Sequence, residues 1–250
     1  MKKLKFTFKN AAGEELAGLL ELPENPKAFA LLAHCFTCGK DLKGAARIAR
    51  KLTENAIAVL RFDFTGLGNS EGDFSNTNFS SNISDLLCAV DYLRRQYEAP
   101  SLLIGHSLGG SAILSIAGEV PEAKAVVTIG SPGELTHVKR LFKDDVENIN
   151  QHGAYPVELA GRVFTLKKQM LDNIQEHKIA HKLFAMNKPL LIFHATEDDT
   201  VLIEQAEKIF KAAKHPKSFI SLGKADHLLT HAQDAEYVAD IIISWSECYL

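Results

Sequence analysis

Long apolar runs are missing from this sequence. Hydrophobic residues make up 46% of its 250 positions, yet no stretch of them approaches the ~20 residues that a membrane-spanning helix needs, so no membrane association is expected. The opening Met1-Lys-Lys-Leu-Lys-Phe-Thr-Phe-Lys9 has the charge of a secretory signal without its apolar segment, because Leu4, Phe6 and Phe8 alternate with polar residues; it reads as a strand. Positive charge is also short, with 28 Lys and Arg against 31 Asp and Glu. With no basic stripe, contacts along a nucleic acid are not expected. A cytoplasmic protein is the expectation these absences leave.

Cysteine is scarce too. Four in a chain of this length, without a secretory signal, do not make a disulfide framework. Cys88 and Cys248 fall on expected helix faces and read as inert thiols. Cys35 and Cys38 form a C-x-x-C, but there is no second such pair to complete a zinc site. No helix start is visible at Cys35 for a thioredoxin-like centre either, so metal and redox roles are disfavoured. The glycine-rich stretch Asp63-Phe-Thr-Gly-Leu-Gly-Asn-Ser-Glu-Gly72 lacks the Lys-Ser/Thr of a phosphate-binding loop. Its Gly66-x-Gly68-x-x-Glu71 also lacks the third glycine of the dinucleotide fingerprint, so it reads as a structural turn. No metal or organic cofactor is expected.

What is present is a regular alternation of strands and helices. Leu4 to Phe8 and Glu15 to Leu22, separated by the turn signal Asn10-Ala-Ala-Gly13, predict an antiparallel hairpin. Ala28 to Ala33 and Ile57 to Phe62 are continuous apolar runs, the mark of strands covered on both faces of a parallel sheet. Between them Leu42, Ala45, Ile48, Ala49 and Leu52 recur at helical spacing, with Asp41 as the expected cap. Ile83, Leu86, Leu87, Val90 and Leu93 predict the next helix, which leads through Pro100 into the strand-like Leu102-Leu-Ile. Ala125 to Ile129 is a further strand. From about 134 to 188 the chain turns more polar and holds no buried-strand run, while Phe164, Leu166, Met170, Leu171 and Ile174 suggest short helices; this segment reads as a helical cap inserted between sheet strands. Alternation resumes with Pro189 to His194, a helix through Leu202, Ala206, Ile209 and Phe210, a strand from Lys217 to Leu222, and a last helix carrying Ala235, Val238, Ala239, Ile242 and Trp245. The class is α/β, one domain over residues 1–250, with a mostly parallel eight-stranded sheet flanked by helices and a small helical cap.

The stretch Gly105-His-Ser-Leu-Gly109 sits between a strand and the buried helix that begins after it. On composition alone, G-x-S-x-G arises in roughly one chain of this length in ten. At a strand-turn-helix junction it means more, because the turn pushes the serine Oγ out and the glycines let strand and helix approach. A serine hydroxyl needs a neutral imidazole to take its proton, and that imidazole needs a carboxylate to orient it. In an open parallel sheet such groups collect at the carboxyl ends of strands. Two such ends follow downstream, His194-Ala-Thr-Glu-Asp198-Asp-Thr-Val201 and Gly223-Lys-Ala-Asp-His227. Glu197, Asp198 and Asp199 all compete for the acid. Asp226 reads as a loop-capping residue. For the base, His34, His106 and His194 lie beside strand ends where structural hydrogen bonds are expected, and the cap histidines at 137, 152, 177 and 181 are expected to be solvated.

These three segments, in this order, resemble the nucleophile, acid and histidine segments of α/β-hydrolases. Together with His34-Cys-Phe-Thr-Cys38, Arg61 to Gly72 and His215-Pro-Lys-Ser-Phe219, they are most similar to the hydrolase half of proteins that fuse an α/β-hydrolase to an OsmC-like domain. The sequence ends after its last expected helix, so the OsmC-like half is expected to be absent. The resemblance implies an α/β-hydrolase fold with Ser107 as nucleophile, Asp198 as acid and His227 as base. It implies oxyanion donors at the backbone N–H of Leu108 and of Phe36, in a loop where Cys35 replaces the family's usual glycine; if that position requires positive φ, the cysteine is strained. Phe36, Phe164, Met170 and Leu171 are the expected lining of an acyl pocket. The function so implied is a carboxylesterase for small to medium acyl groups, with a small-molecule ester as partner and a homodimer as the oligomer allowed for. Thioesterase, lipase and peptidase chemistry use the same apparatus. A non-catalytic hydrolase-fold partner of an OsmC-like protein is the alternative from outside enzymology.

Overall fold

A computed structural model describes residues 1–35 and 37–250. Strands β1 (Lys2–Lys9) and β2 (Glu15–Leu22) form the antiparallel hairpin. They are followed by β3 (Ala28–Ala33), α1 (Lys43–Glu54), β4 (Ile57–Phe62), α2 (Phe79–Gln96), β5 (Leu102–His106), α3 (Leu108–Ile116) and β6 (Ala125–Ile129). The cap then holds a 3-10 segment at Leu135–Phe142, α4 (Val146–His152), β7 (Ala154–Leu159), β8 (Arg162–Lys167), α5 (Lys168–Glu176) and α6 (Ile179–Met186). The chain returns through β9 (Leu190–His194), α7 (Glu204–Ala212), β10 (Lys217–Ser221) and α8 (Ala232–Ser246). The main sheet has eight strands in the order β1-β2-β4-β3-β5-β6-β9-β10, and every pair from β4 to β10 is parallel.

The apolar runs partition by the two-residue period of a strand. In β3, Ala28, Ala30 and Leu32 join the core under α1 and α8, while Phe29, Leu31 and Ala33 join the core under α2, α3 and α7. In β4, Ile57 and Val59 go one way and Ala58, Leu60 and Phe62 the other. Both faces are therefore covered, as a continuous apolar strand requires. β3 and β5 are neighbours, and the order runs outward from them in opposite directions. That is the switch point where the carboxyl ends of parallel strands leave a crevice. Among the described residues, no helix is long and apolar enough to cross a membrane.

Two expectations change. The cap is not wholly helical: β7 and β8 form an antiparallel ribbon with Val157 opposite Phe164 and Tyr155 opposite Leu166. Val157, Leu159, Phe164 and Leu166 alternate with exposed positions and face the core, a spacing of two that looks helical only when Phe164 and Leu166 are joined to Met170 and Ile174. The turn is Ala160-Gly161, both at positive φ (50° and 74°), the backbone of a two-residue hairpin turn without the Asn-Gly or Asp-Gly pair that usually announces it. Asp41 does not cap α1 either. Leu42 occupies the capping position with no side-chain bond, and Asp41 turns to Lys40, 3.5 Å away.

Lys40 itself joins two loops at the carboxyl edge of the sheet. Asp63, buried at the end of β4, accepts from the Lys40 amide at 2.6 Å, from Lys40 Nζ at 2.6 Å and from the Asn69 amide at 3.0 Å. Arg61 donates to the Lys40 carbonyl and pairs with buried Glu21 at 3.2 Å. The Asp63 to Gly72 stretch is thus a structural turn that ties the β4 loop to the loop after β3. Breaking a buried pair from one side costs about 3–5 kcal/mol, because the remaining charge is left uncompensated. Asp63→Asn should therefore destabilise the fold by roughly that amount in urea titrations. Lys40→Met should cost less, since Asp63 keeps two backbone donors; equal losses would contradict this network.

Candidate active site

Ser107 lies at the turn between β5 and α3 with φ 54° and ψ −129°. Its N–H donates to the Ile129 carbonyl (2.8 Å), and its own carbonyl accepts from the Gly110 amide (2.9 Å). A Cβ on Gly109 would run into the carbonyls of His34 and Ala33, so a glycine there lets the first turn of α3 lie against the end of β3. The strained elbow read from the sequence is therefore present, and it delivers Ser107 Oγ to the carboxyl ends of the strands.

Asp198 and His227 meet it there. His227 Nδ1 is 2.7 Å from Asp198 Oδ2, and His227 Nε2 is 3.0 Å from Ser107 Oγ. A carboxylate only accepts, so Nδ1 carries the ring proton and Nε2 is the free acceptor for the serine hydroxyl. Asp198 is chosen over its neighbours by burial: its side chain is 1% exposed, whereas Glu197 faces solvent beside Lys224 and Asp199 is exposed. Its other oxygen accepts from the amides of Thr200 (3.0 Å) and Val201 (2.9 Å). Burial by itself would raise the Asp198 carboxyl, but the hydrogen bond and charge of His227, the Val201 amide and His194 outweigh it and hold the group below the ordinary aspartate value. Asp226 caps its own loop, accepting from Leu228 and Thr230.

The motif histidines make the backbone bonds expected of them. His34 Nδ1–H donates to the Cys35 carbonyl, His194 Nε2–H to the Val201 carbonyl and His106 Nε2–H to the His227 carbonyl, each at 2.7 Å. The His106 contact makes the residue preceding Ser107 a tie to the histidine loop. The sequence reading had not assigned it that role, although its place inside the motif was the available signal. Gly130 follows the end of β6 with φ +55°. A Cβ there would lie 3.3 Å from His227 Nδ1 and 3.5 Å from Asp198 Oδ2, so it makes room for the pair. Of the cap histidines, His137 and His177 are half-buried rather than solvated as expected: His137 Nε2 accepts from the Leu202 amide in the acid loop at 3.4 Å, and His177 Nε2 lies 2.8 Å from Ser80 Oγ.

Leu108 opens α3, and the first amides of a helix have no intrahelical acceptor, which suits its N–H to an oxyanion. The second expected donor, Phe36, lies outside the described residues. Cys35 does not carry the anticipated strain: among the described residues the non-glycines at positive φ are Ala56, Ser107, Ala160, Asn187 and Leu229. Cys35 and Cys38, whose metal and redox roles were disfavoured, are joined in a disulfide, with their Cα atoms 5.4 Å apart, within bridging distance. Phe164 packs on Phe74 with the Arg162 guanidinium over its ring, and Met170 and Leu171 are each 2% exposed. These three belong to the core between cap and sheet, so they can line an acyl site only where the cap parts from the sheet. Among the described residues, no group of three or more His, Cys, Asp or Glu is placed to hold a metal ion.

With this geometry in hand, the chain can be set beside known proteins. Residues 24–144 match the family described as serine aminopeptidase, S33. The esterase domain of a Rhodothermus marinus protein is 44% identical, covers 100% of this chain and 99% of its own, and superposes with a TM-score of 0.81. The chain belongs to the α/β-hydrolase superfamily. Mouse alpha/beta hydrolase domain-containing protein 10 shares the α/β-hydrolase fold, with a TM-score of 0.82 at 16% identity over 98% of this chain and 99% of that one. Among curated relatives, the palmitoyl-protein thioesterase ABHD10, mitochondrial, of Bos taurus is 26% identical over 151 residues, 58% of this chain and 48% of that protein. The α/β-hydrolase chain thus aligns with about half the length of that relative.

The buried histidines give this α/β-hydrolase a definite acid response. Burial lowers His34 and His194, and burial followed by the neighbouring His227 lowers His106 to about 3. In the unfolded chain a histidine titrates near ~6.5. Below that pH the unfolded state takes up protons that the folded state refuses, so stability present above ~6.5 is lost as pH falls toward 3. The urea midpoint should drop between pH 7 and pH 5, and the slope should be shallower in His106→Gln; parallel slopes would contradict a neutral buried His106.

Proposed function

We propose that this α/β-hydrolase cleaves carboxylic esters through an acyl-enzyme on Ser107. The observation that carries the reading is the hydrogen-bonded chain from Asp198 through His227 to Ser107 Oγ, with Nε2 free to accept the serine proton. In this mechanism His227 removes the hydroxyl proton as Oγ attacks the acyl carbon, and Asp198 stabilises the imidazolium that results. The Leu108 N–H meets the developing oxyanion, where one donor contributes roughly 3–4 kcal/mol. His227 then protonates the departing alkoxide, and a water activated by the same imidazole releases the acid. Phe164, Met170 and Leu171 take the acyl group when the cap parts from the sheet. The expected setting is the cytoplasm.

Thioester cleavage is the second reading, favoured by the name of the curated relatives, which are palmitoyl-protein thioesterases. The same serine, histidine and donor act on either carbonyl, and only the leaving group differs. Aryl esters from acetate to palmitate, palmitoyl-coenzyme A and an aminoacyl anilide, assayed side by side with Ser107→Ala as the blank, separate the cases. Turnover should be highest on short to medium aryl esters and fall by at least about 10³-fold in Ser107→Ala, while Asp198→Asn should cost about 10³–10⁴-fold in kcat. Preference for palmitoyl-coenzyme A would move the assignment to thioesters. Folded protein that turns over no substrate and takes no fluorophosphonate label at Ser107 would overturn catalysis altogether.

A further inference from the structure

The Cys35–Cys38 bridge lies at the candidate active site rather than on a remote loop. His34, Cys35, Leu108 and Gly109 border one small cavity of about 10 Å³, so Cys35 adjoins the residue whose N–H is proposed to meet the oxyanion. The backbone leading to it presses on the elbow, because the His34 and Ala33 carbonyls occupy the space a Gly109 side chain would need. Fixed points flank the bridge: His34 donates to the Cys35 carbonyl at 2.7 Å, and buried Asp63 accepts from the Lys40 amide at 2.6 Å. Across the bridge the Cys38 amide reaches the Cys35 carbonyl at 3.3 Å. Cys35 is 6% exposed and Cys38 is half-buried, so the two sulfurs differ in access.

We propose that Cys35 and Cys38 form a thiol–disulfide exchange site whose oxidised form holds the oxyanion side of the active site in its working shape. The inference rests on the Ser107 hydrolase reading. The reductant is a dithiol. One of its thiolates attacks Cys38 Sγ, the more accessible sulfur; the bridge breaks, and the electron pair leaves on Cys35 Sγ, which takes a proton. Cys38 is then in a mixed disulfide with the reductant. The second thiolate of the reductant attacks the reductant's own sulfur in that link, releasing Cys38, which takes the second proton. The protein has gained two electrons and two protons, and the dithiol leaves as a cyclic disulfide. Oxyanion donors work because they are in place before the charge develops. Without the bridge Cys35, which borders the same cavity as Leu108, is released from Cys38, and the loss falls on the chemical step more than on substrate binding.

The test uses the full chain with Cys88→Ala and Cys248→Ala, the two free cysteines, so that every thiol counted belongs to the bridge. Native protein is treated with dithiothreitol, acid-quenched and labelled with a maleimide for mass measurement, while aryl-ester kinetics are recorded on the same sample. Two adducts should appear, with kcat falling roughly tenfold or more and KM shifting little, and oxidised dithiothreitol should restore both mass and rate. Cys38→Ser in this background should sit at the low kcat with or without reductant. A bridge that resists dithiothreitol until the protein is unfolded, or two adducts with unchanged kcat, would overturn the proposal while leaving the hydrolase reading intact. Protein inactive toward esters in both redox forms would sink the hydrolase reading and this inference with it.

Discussion

The geometry of the site depends on one residue held in an unfavourable backbone conformation. Ser107 at φ 54° stands where L side chains are rarely found, a strain of order 1–3 kcal/mol that persists only when the surroundings determine it. Here they do. The Ser107 N–H is tied to β6 through Ile129, its carbonyl receives the Gly110 amide, and every residue of α3 is buried. Relaxing the turn would require displacing a whole buried helix. The strain is therefore kept, and with it the projection of Oγ into the crevice.

The partners of Ser107 arrive on loops from β9 and β10, which have no covalent reason to converge on it. Backbone hydrogen bonds supply the reason. His194 donates to the Val201 carbonyl while the Val201 amide donates to Asp198, so the acid loop is closed on itself before any histidine reaches it. His106, next to Ser107 in the chain, donates to the carbonyl of His227, which binds the base loop to the nucleophile strand. Each such bond is worth about 1 kcal/mol net, but an orphaned buried partner costs more. These bonds therefore hold the three loops in register. Lowered by burial, His106 and His194 stay neutral and act as fixed N–H donors.

Much of this was legible because the relevant signals are local. β2, β3, β4 and β6 begin and end where the sequence places them, since a strand covered on both faces is mostly apolar along its length; the charged exceptions, Glu21 in β2 and Arg61 in β4, pair with each other. The strand ends that carry Ser107, Asp198 and His227 were readable from short motifs, where an exposed reactive group and a buried scaffold must meet, but the choice of Asp198 over Glu197 and Asp199 came only with the family resemblance. The missed features depend on partners distant in sequence or on weak turn chemistry. The β7–β8 ribbon turns at Ala160-Gly161, a pair with little propensity signal. Asp41 has no capping role because α1 begins one residue later than its cap position would require, at Lys43, and its carboxylate lies beside Lys40, which buried Asp63, 22 positions after Asp41, holds in place. The Cys35–Cys38 bridge is one that C-x-x-C spacing permits but does not demand. His137 sits at a cap–acid-loop contact that no local pattern encodes.

The cap completes the argument about substrate. Its apolar side chains, from Leu135 through Phe164, Met170 and Leu171 to Met186, belong to the same buried cluster as Leu108, Ala112 and Ile113 of α3. Separating cap from sheet exposes that surface to water at a cost of about 1.5–3 kcal/mol for each fully buried large side chain. A substrate whose acyl portion is apolar returns much of this by occupying the space; a small polar acyl group returns little. Under the ester reading, selectivity for apolar acyl groups thus arises from the packing that keeps the cap closed, with no dedicated recognition residue required. Under the same reading the elbow helix is a floor shared by Ser107 and the acyl chain, so residues that set chain-length preference are to be sought on the α3-facing side of the cap.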